Sequence, residues 1–224
     1  MRLAVFDCDG TLVDGQADVC WSMRRAFERA GLTPPDDNAV RRRVGLSLNV
    51  AVRDLAPDLD EDAQRAVVEF YKSSFRARRE EGLLDEPLYD GIADLLRALH
   101  AEGWALAVAT GKSDRGLEAC LAAHGLTDLF VSLQTADRHP SKPHPAMLEA
   151  ALFEAAAQPD EAVMIGDTTF DIDMGSAAGV AGIGVAWGYH PPQDLINAGA
   201  LGVAENTAKL GQMLRARLNP GNQA

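Results

Sequence analysis

The chain has 224 residues, a formal net charge of −12, 47% apolar and 24% charged residues. That is a soluble globular mix, long enough to bury a hydrophobic core without disulfide or metal staples. The acidity excludes nucleic acid and an anionic membrane as expected partners, because both need a basic face.

Residues 3–6, Leu-Ala-Val-Phe, form a short apolar run that ends in acidic residues. This pattern predicts a buried strand, not a signal peptide. Residues 15–86 lack a strong strand pattern and carry helical stripes instead: Val19, Met23, Ala26 and Phe27; Val44, Leu48 and Val52; Ala63, Val67, Tyr71 and Phe75. Apolar runs at 104–109, 129–133, 162–165 and 182–186 then alternate with helical patterns at 92–99, 117–121 and 146–157. Such alternation predicts an α/β fold, a Rossmann-like parallel sheet with helices on both faces. The expected division is a core of 1–14 and 87–224 with an inserted all-helical cap at 15–86. The tail at 219–224 is polar, with Pro and Gly, and is expected to fray. Cys8, Cys20 and Cys120 have no CxxC spacing and fit free thiols in a reducing, cytoplasmic setting.

The sharpest feature is Asp7-Cys8-Asp9-Gly10-Thr11-Leu12-Val13-Asp14 at the end of the first predicted strand. Alternate residues of an extended segment point the same way, so both carboxylates can face one site. Carboxylates that close repel unless a cation or a shared proton intervenes. A hard divalent cation such as Mg²⁺ suits them. One carboxylate is then free to act as nucleophile and the other as proton donor and acceptor. Gly10 permits close backbone approach, and Thr11 adds a hydroxyl. A D-x-D-G-T string arises by chance roughly once in 10⁵ positions at ordinary residue usage, so a plain Asp-Gly turn is the weaker explanation.

Three later segments point to the same chemistry. Thr110-Gly111-Lys112-Ser113 follows a predicted strand and opens a helix, an arrangement that binds anions. Lys142, fixed by Pro143 and Pro145, offers a held positive charge to a phosphoryl group. Gly166-Asp167-Thr168-Thr169-Phe170-Asp171 again places carboxylates after an apolar strand. Asp167 is expected to ligate metal, and Asp171 to ligate it through water or to orient another group.

In these residues the chain resembles the haloacid dehalogenase superfamily. Asp7-x-Asp9-Gly10-Thr11-Leu12-Val13-Asp14 matches its first motif, Thr110-Gly111 the second, Lys142-Pro143 the third, and Gly166-Asp167 with Asp171 the fourth. The helical insertion resembles the cap of the subfamily containing phosphoglycolate phosphatases, β-phosphoglucomutases and phosphonatases. The resemblance implies aspartyl-phosphate chemistry: attack by Asp7, proton transfer by Asp9, and binding of phosphoryl oxygens by Thr110 and Lys142. It also implies Mg²⁺ held by Asp7, Asp167 and the backbone carbonyl of Asp9, with Asp171 beside them. Gly10, Thr11 and Gly111 are expected at the phosphoryl group. In the cap, Gly45 and Ser47 are expected to reach the substrate's far end.

A Mg²⁺-dependent phosphomonoester hydrolase is therefore expected, acting on a small phosphorylated metabolite, with 2-phosphoglycolate as first candidate. A phosphosugar mutase, pyrophosphatase or nucleotidase is the alternative. Asp9 argues against a 2-haloacid dehalogenase, and the cap's only lysine, Lys72, argues against a phosphonatase. A phospho-accepting receiver module would need neither a helical cap nor Gly166-Asp167. The expected assembly is a monomer or small homo-oligomer. Residues 15–86 hold 12 Lys or Arg and 14 Asp or Glu, and the rest hold 9 and 19. The acidity thus belongs to the predicted core, beneath an arginine-bearing lid.

Overall fold

The computed structural model describes residues 1–217, so the tail at 219–224 lies outside the described residues. Strands β1 (Leu3–Phe6), β2 (Ala105–Thr110), β3 (Ser132–Thr135), β4 (Ala162–Gly166), β5 (Ala181–Val185) and β6 (Val203–Ala204) form one sheet in the order β3-β2-β1-β4-β5-β6. Every neighbouring pair is parallel. The chain runs outward from β1 in one direction and then, from β4, in the other. The carboxyl ends of β1 and β4 therefore flank the point where strand order reverses, the usual ligand crevice of an open α/β sheet.

Helices cover both faces. Ala4 and Phe6 of β1 face a core shared with Leu96 and Leu99 of α5 (Ile92–Ala101), Leu117 and Leu121 of α6 (Asp114–Ala123), and Leu210 of α10 (Thr207–Arg217). Leu3 and Val5 face the opposite core, with Met147 and Leu148 of α7 (Ala146–Glu154) and Met174 of α8 (Thr169–Ala177). Burying each such side chain is worth about 1.5–3 kcal/mol. A one-residue slip of β1 would move the bulky Phe6 into the wrong layer, so the alternation sets its register.

Between β1 and α5 lies an all-helical insertion: α1 (Gln16–Arg29), α2 (Asp37–Arg41), α3 (Leu48–Leu55) and α4 (Glu61–Glu80). It has its own apolar core, built from Met23, Phe27, Val40, Val52 and Val67. Asp60 starts α4 by accepting a hydrogen bond from the Ala63 backbone N–H at 2.8 Å. The two linkers run side by side, since the Asp14 backbone N–H donates to the Pro87 carbonyl at 2.8 Å.

Several local expectations shift. The third strand begins at Ser132, because 127–129 form a 3₁₀ turn that consumes the start of the apolar run. The helix predicted over 146–157 ends at Glu154, where Ala156 takes φ +50° and turns the chain away. Val44 does not share a helix with Leu48 and Val52, because Gly45 at φ +96° breaks the run and α3 starts after it. Two short elements, β6 and α9 (Pro192–Asn197), carry no clear sequence pattern. Among the described residues no helix is long and apolar enough to cross a membrane.

Candidate active site

Asp7 follows β1 directly, its backbone N–H bonded to the Ile165 carbonyl of β4 at 2.9 Å. Its side chain is fully buried, and neither carboxylate oxygen has a hydrogen-bond partner. Asp167 follows β4, and both its oxygens are engaged. Thr11 Oγ1 donates to one at 2.8 Å and the Tyr189 backbone N–H donates to the other at 2.8 Å. Gly10 lies against Asp167 at φ +84°, and a Cβ there would lie 2.3 Å from Asp167 Oδ2, so only glycine fits. Thr11 is buried and its hydroxyl is committed to Asp167. The structure therefore directs the Thr11 hydroxyl at the Asp167 carboxylate.

Lys142 is equally buried. Its Nζ donates to Asp171 Oδ1 at 2.6 Å and lies 2.9 Å from Asp7 Oδ1. The latter is an ion pair without hydrogen-bond alignment. The other Asp171 oxygen accepts from the Thr168 backbone N–H and hydroxyl, at 3.0 and 2.7 Å. Asp171 is thus held on all sides and presents Lys142 to Asp7. Asp7, Asp167 and Asp171 each offer an oxygen within 4.8 Å of the others.

Three carboxylates face one ammonium here. Burial, with Asp171 and Asp9 adding to it against Lys142, pushes the Asp7 carboxyl up to about 7. Burial, with Asp7 and Asp171 beside it, pushes Asp167 well above the usual carboxylate range. The Lys142 ammonium sits above its ordinary value, because Asp171 and Asp7 outweigh the pull of burial. The protein groups leave an excess of buried negative charge next to unbonded oxygens on Asp7. A hard divalent cation with oxygen ligands fits that excess.

Asp9 stands apart from this trio. Lys112 Nζ pairs with Asp9 Oδ1 at 2.9 Å and also with Glu86, so the Asp9 carboxylate is not in the three-carboxylate group. Against burial, Asp9, Cys8 and Glu86 hold the Lys112 ammonium well above its ordinary value. The sequence left Lys112 without a settled role, and Glu86, next to the second linker, carried no local signal. Thr110 ends β2 buried, its hydroxyl accepting from the Lys112 backbone N–H at 3.3 Å.

The helical insertion touches the core beside these groups. A Cβ on Gly111 would lie 2.5 Å from the Leu46 carbonyl and 2.8 Å from that of Gly45. Residues 45–46 thus pack directly on the second motif. The Ser47 backbone N–H donates to Ser141 Oγ at 2.8 Å, next to Lys142. His190, buried at a loop, accepts from the Thr169 N–H through Nδ1 at 3.1 Å and reaches the Arg42 carbonyl through Nε2 at 3.2 Å. It too joins core to insertion, and burial holds its imidazole below the usual value. Other residues stay away from the chemistry. Asp173 is exposed, as is His144, whose Nδ1 accepts from the Ala146 N–H at 3.2 Å. Lys72 is exposed and pairs with Glu69 at 3.0 Å. The three cysteines are free and buried.

A family model described as haloacid dehalogenase-like hydrolase matches residues 4–185. A protein of Dickeya dadantii named "Probable phosphatase IndB" is 36% identical over 198 residues, covering 86% of this chain and 84% of that one. Phosphoglycolate phosphatase of Rhodospirillum rubrum is 30% identical over 95% of this chain and 90% of its own. Tyrosine-protein kinase PtkA of Mycobacterium tuberculosis is 31% identical over 96% of this chain and 72% of its own. A crystal structure titled as a predicted phosphatase from Clostridium acetobutylicum superposes with a TM-score of 0.85 at 25% identity, covering 95% of this chain and 97% of that one.

Proposed function

This chain belongs to the haloacid dehalogenase-like hydrolases and is a phosphatase, and from that premise we propose that it hydrolyses phosphomonoesters of a small metabolite through a phosphoryl group carried on Asp7. The observation that carries this reading is the Asp7 carboxylate. It is fully buried, free of hydrogen bonds on both oxygens, and 2.9 Å from the Lys142 ammonium.

An oxygen of Asp7 forms a bond to phosphorus while the ester P–O bond breaks. Asp9 gives a proton to the departing oxygen. Asp9 then takes a proton from water as that water's oxygen bonds to phosphorus and the Asp7–phosphorus bond breaks, releasing orthophosphate. A covalent intermediate divides one difficult displacement into two easier ones. The Lys142 ammonium neutralises charge on the equatorial oxygens, and the Gly111 backbone amide and the Thr110 hydroxyl supply donors to them, while the Gly10 N–H is given to the Val13 carbonyl at 2.9 Å. Lys112, itself paired with Glu86, holds Asp9 near the reacting oxygen. Mg²⁺, held by Asp7, Asp167 and the Asp9 carbonyl with Asp171 behind them, would supply the remaining positive charge on the transferring group. Residues 45–47, packed on Gly111 and Ser141, shield the site from bulk water.

The natural substrate is a small phosphorylated metabolite, and 2-phosphoglycolate heads the assay because a relative bears its name. Hydrolysis of 4-nitrophenyl phosphate with and without EDTA, by the wild type and Asp7→Asn, tests the mechanism. The reading expects loss of activity in both cases. Activity that survives either one refutes it.

A further inference from the structure

We propose that the preferred substrate is a phosphate ester whose leaving group has an apolar body about the size of a benzene ring and a second anionic group at its far end. This rests on the phosphatase reading and narrows it, placing a bulkier ester above 2-phosphoglycolate.

A cavity of about 400 Å³ lies between the helical insertion and the core. Its floor is Asp9, Gly111 and Lys112. A leaving group protonated by Asp9 departs into this space. Ligand sites for drug-sized molecules run to about 300–1,000 Å³, so the two-carbon remainder of 2-phosphoglycolate would leave most of the cavity to water.

The walls say what fills it. Val19, Met23, Leu46 and Leu55 line it with the rings of Tyr71 and Phe75. These rings are stacked 5.8 Å apart on one face of α4. Weakly held water against such a wall is displaced favourably by an apolar group.

Six cations finish the lining, of which Lys72, Arg79 and Lys112 are paired with Glu69, Glu86 and Asp9. Arg43, Arg76 and Arg115 border the cavity and, among the described residues, have no carboxylate within 4.0 Å. Some arginines of the insertion are paired instead: Arg24 with Asp37, Arg25 with Glu28, Arg78 with Asp18. The acids bordering the cavity are already engaged, Asp9 by Lys112 and Asp137 by the Asp114 backbone N–H at 2.9 Å. An apolar chamber with uncompensated guanidinium groups suits a ligand that ends in a carboxylate or similar anion.

The test compares kcat/KM for 2-phosphoglycolate, benzyl phosphate and 4-carboxybenzyl phosphate with Mg²⁺. All three are esters of alcohols, which keeps the leaving-group chemistry close. The expected order is 4-carboxybenzyl above benzyl above 2-phosphoglycolate, the first exceeding the last by about tenfold or more. Arg43→Gln, Arg76→Gln and Arg115→Gln are read by the ratio of the carboxybenzyl to the benzyl ester. At least one should lower that ratio about tenfold, the equivalent of one charge-assisted hydrogen bond. A best kcat/KM on 2-phosphoglycolate, or a ratio unmoved in all three variants, overturns this inference and leaves the phosphatase reading standing. Turnover of none of the esters overturns both.

Discussion

Lys142→Met removes the ammonium while nearly keeping the volume of the side chain. In the wild type that ammonium lies 2.6 Å from Asp171 and 2.9 Å from Asp7, with all three side chains fully buried. Breaking a buried ion pair by deleting one partner costs about 3–5 kcal/mol. At about 2–4 °C per kcal/mol for a chain of this size, the melting temperature should fall by roughly 10 °C. The loss should depend on pH, because the stranded carboxylates can escape it by binding protons. Unfolding in EDTA should therefore show a large penalty near pH 7.5 and a smaller one near pH 5.5. Phosphatase activity should be lost at both. A variant as stable as the wild type near pH 7.5, or a penalty equal at both pH values, would refute the electrostatic account of Lys142.

Other outcomes follow from the same geometry. The Asp7 carboxyl rises from 3.8 to about 7 on folding, through burial, so the folded chain keeps a proton that the unfolded chain releases over that interval. Metal-free wild type should thus lose stability as pH rises from about 4 to 7, and Mg²⁺ should offset the loss; a melting temperature flat across that window would contradict it. Thr11→Val removes the 2.8 Å donor to Asp167 and should weaken Mg²⁺ activation about 10–100-fold, read as the midpoint of a Mg²⁺ titration. Gly111→Ala places a Cβ 2.5 Å from the Leu46 carbonyl and should raise KM on the order of tenfold by displacing residues 45–46. Proteolysis should then cut that loop faster, and an unchanged rate would count against its seating.

The parts of the fold visible in the sequence are those with local cause. β1 shows itself as four apolar residues, and Asp7 and Asp9 follow at the spacing that a strand end requires. Asp167 and Asp171 stand in a motif after β4, which pairs with β1, whereas the long loop after β3 carries Lys142 across β2 to Asp7. What stayed hidden depends on distant partners. Nothing near Glu86 or Lys112 announces that Lys112 bridges Glu86 and Asp9, because the contact joins a linker to a loop after β2. His190 joins α8 to the Arg42 carbonyl, and Tyr189 uses only its backbone N–H on Asp167. A backbone donor has no residue signature. The helical stripe through Val44, Leu48 and Val52 hid the break at Gly45, and only the packed structure places that glycine against Thr168 and Gly111.

The central claim is that Asp7 carries the phosphoryl group, and borohydride quenching during turnover tests it most directly. Borohydride reduces an acyl phosphate to an alcohol, so peptide mapping of the quenched wild type should find homoserine at position 7 only when substrate and Mg²⁺ are present. Turnover with an unmodified Asp7, or with the reduced residue elsewhere in the chain, would contradict the account.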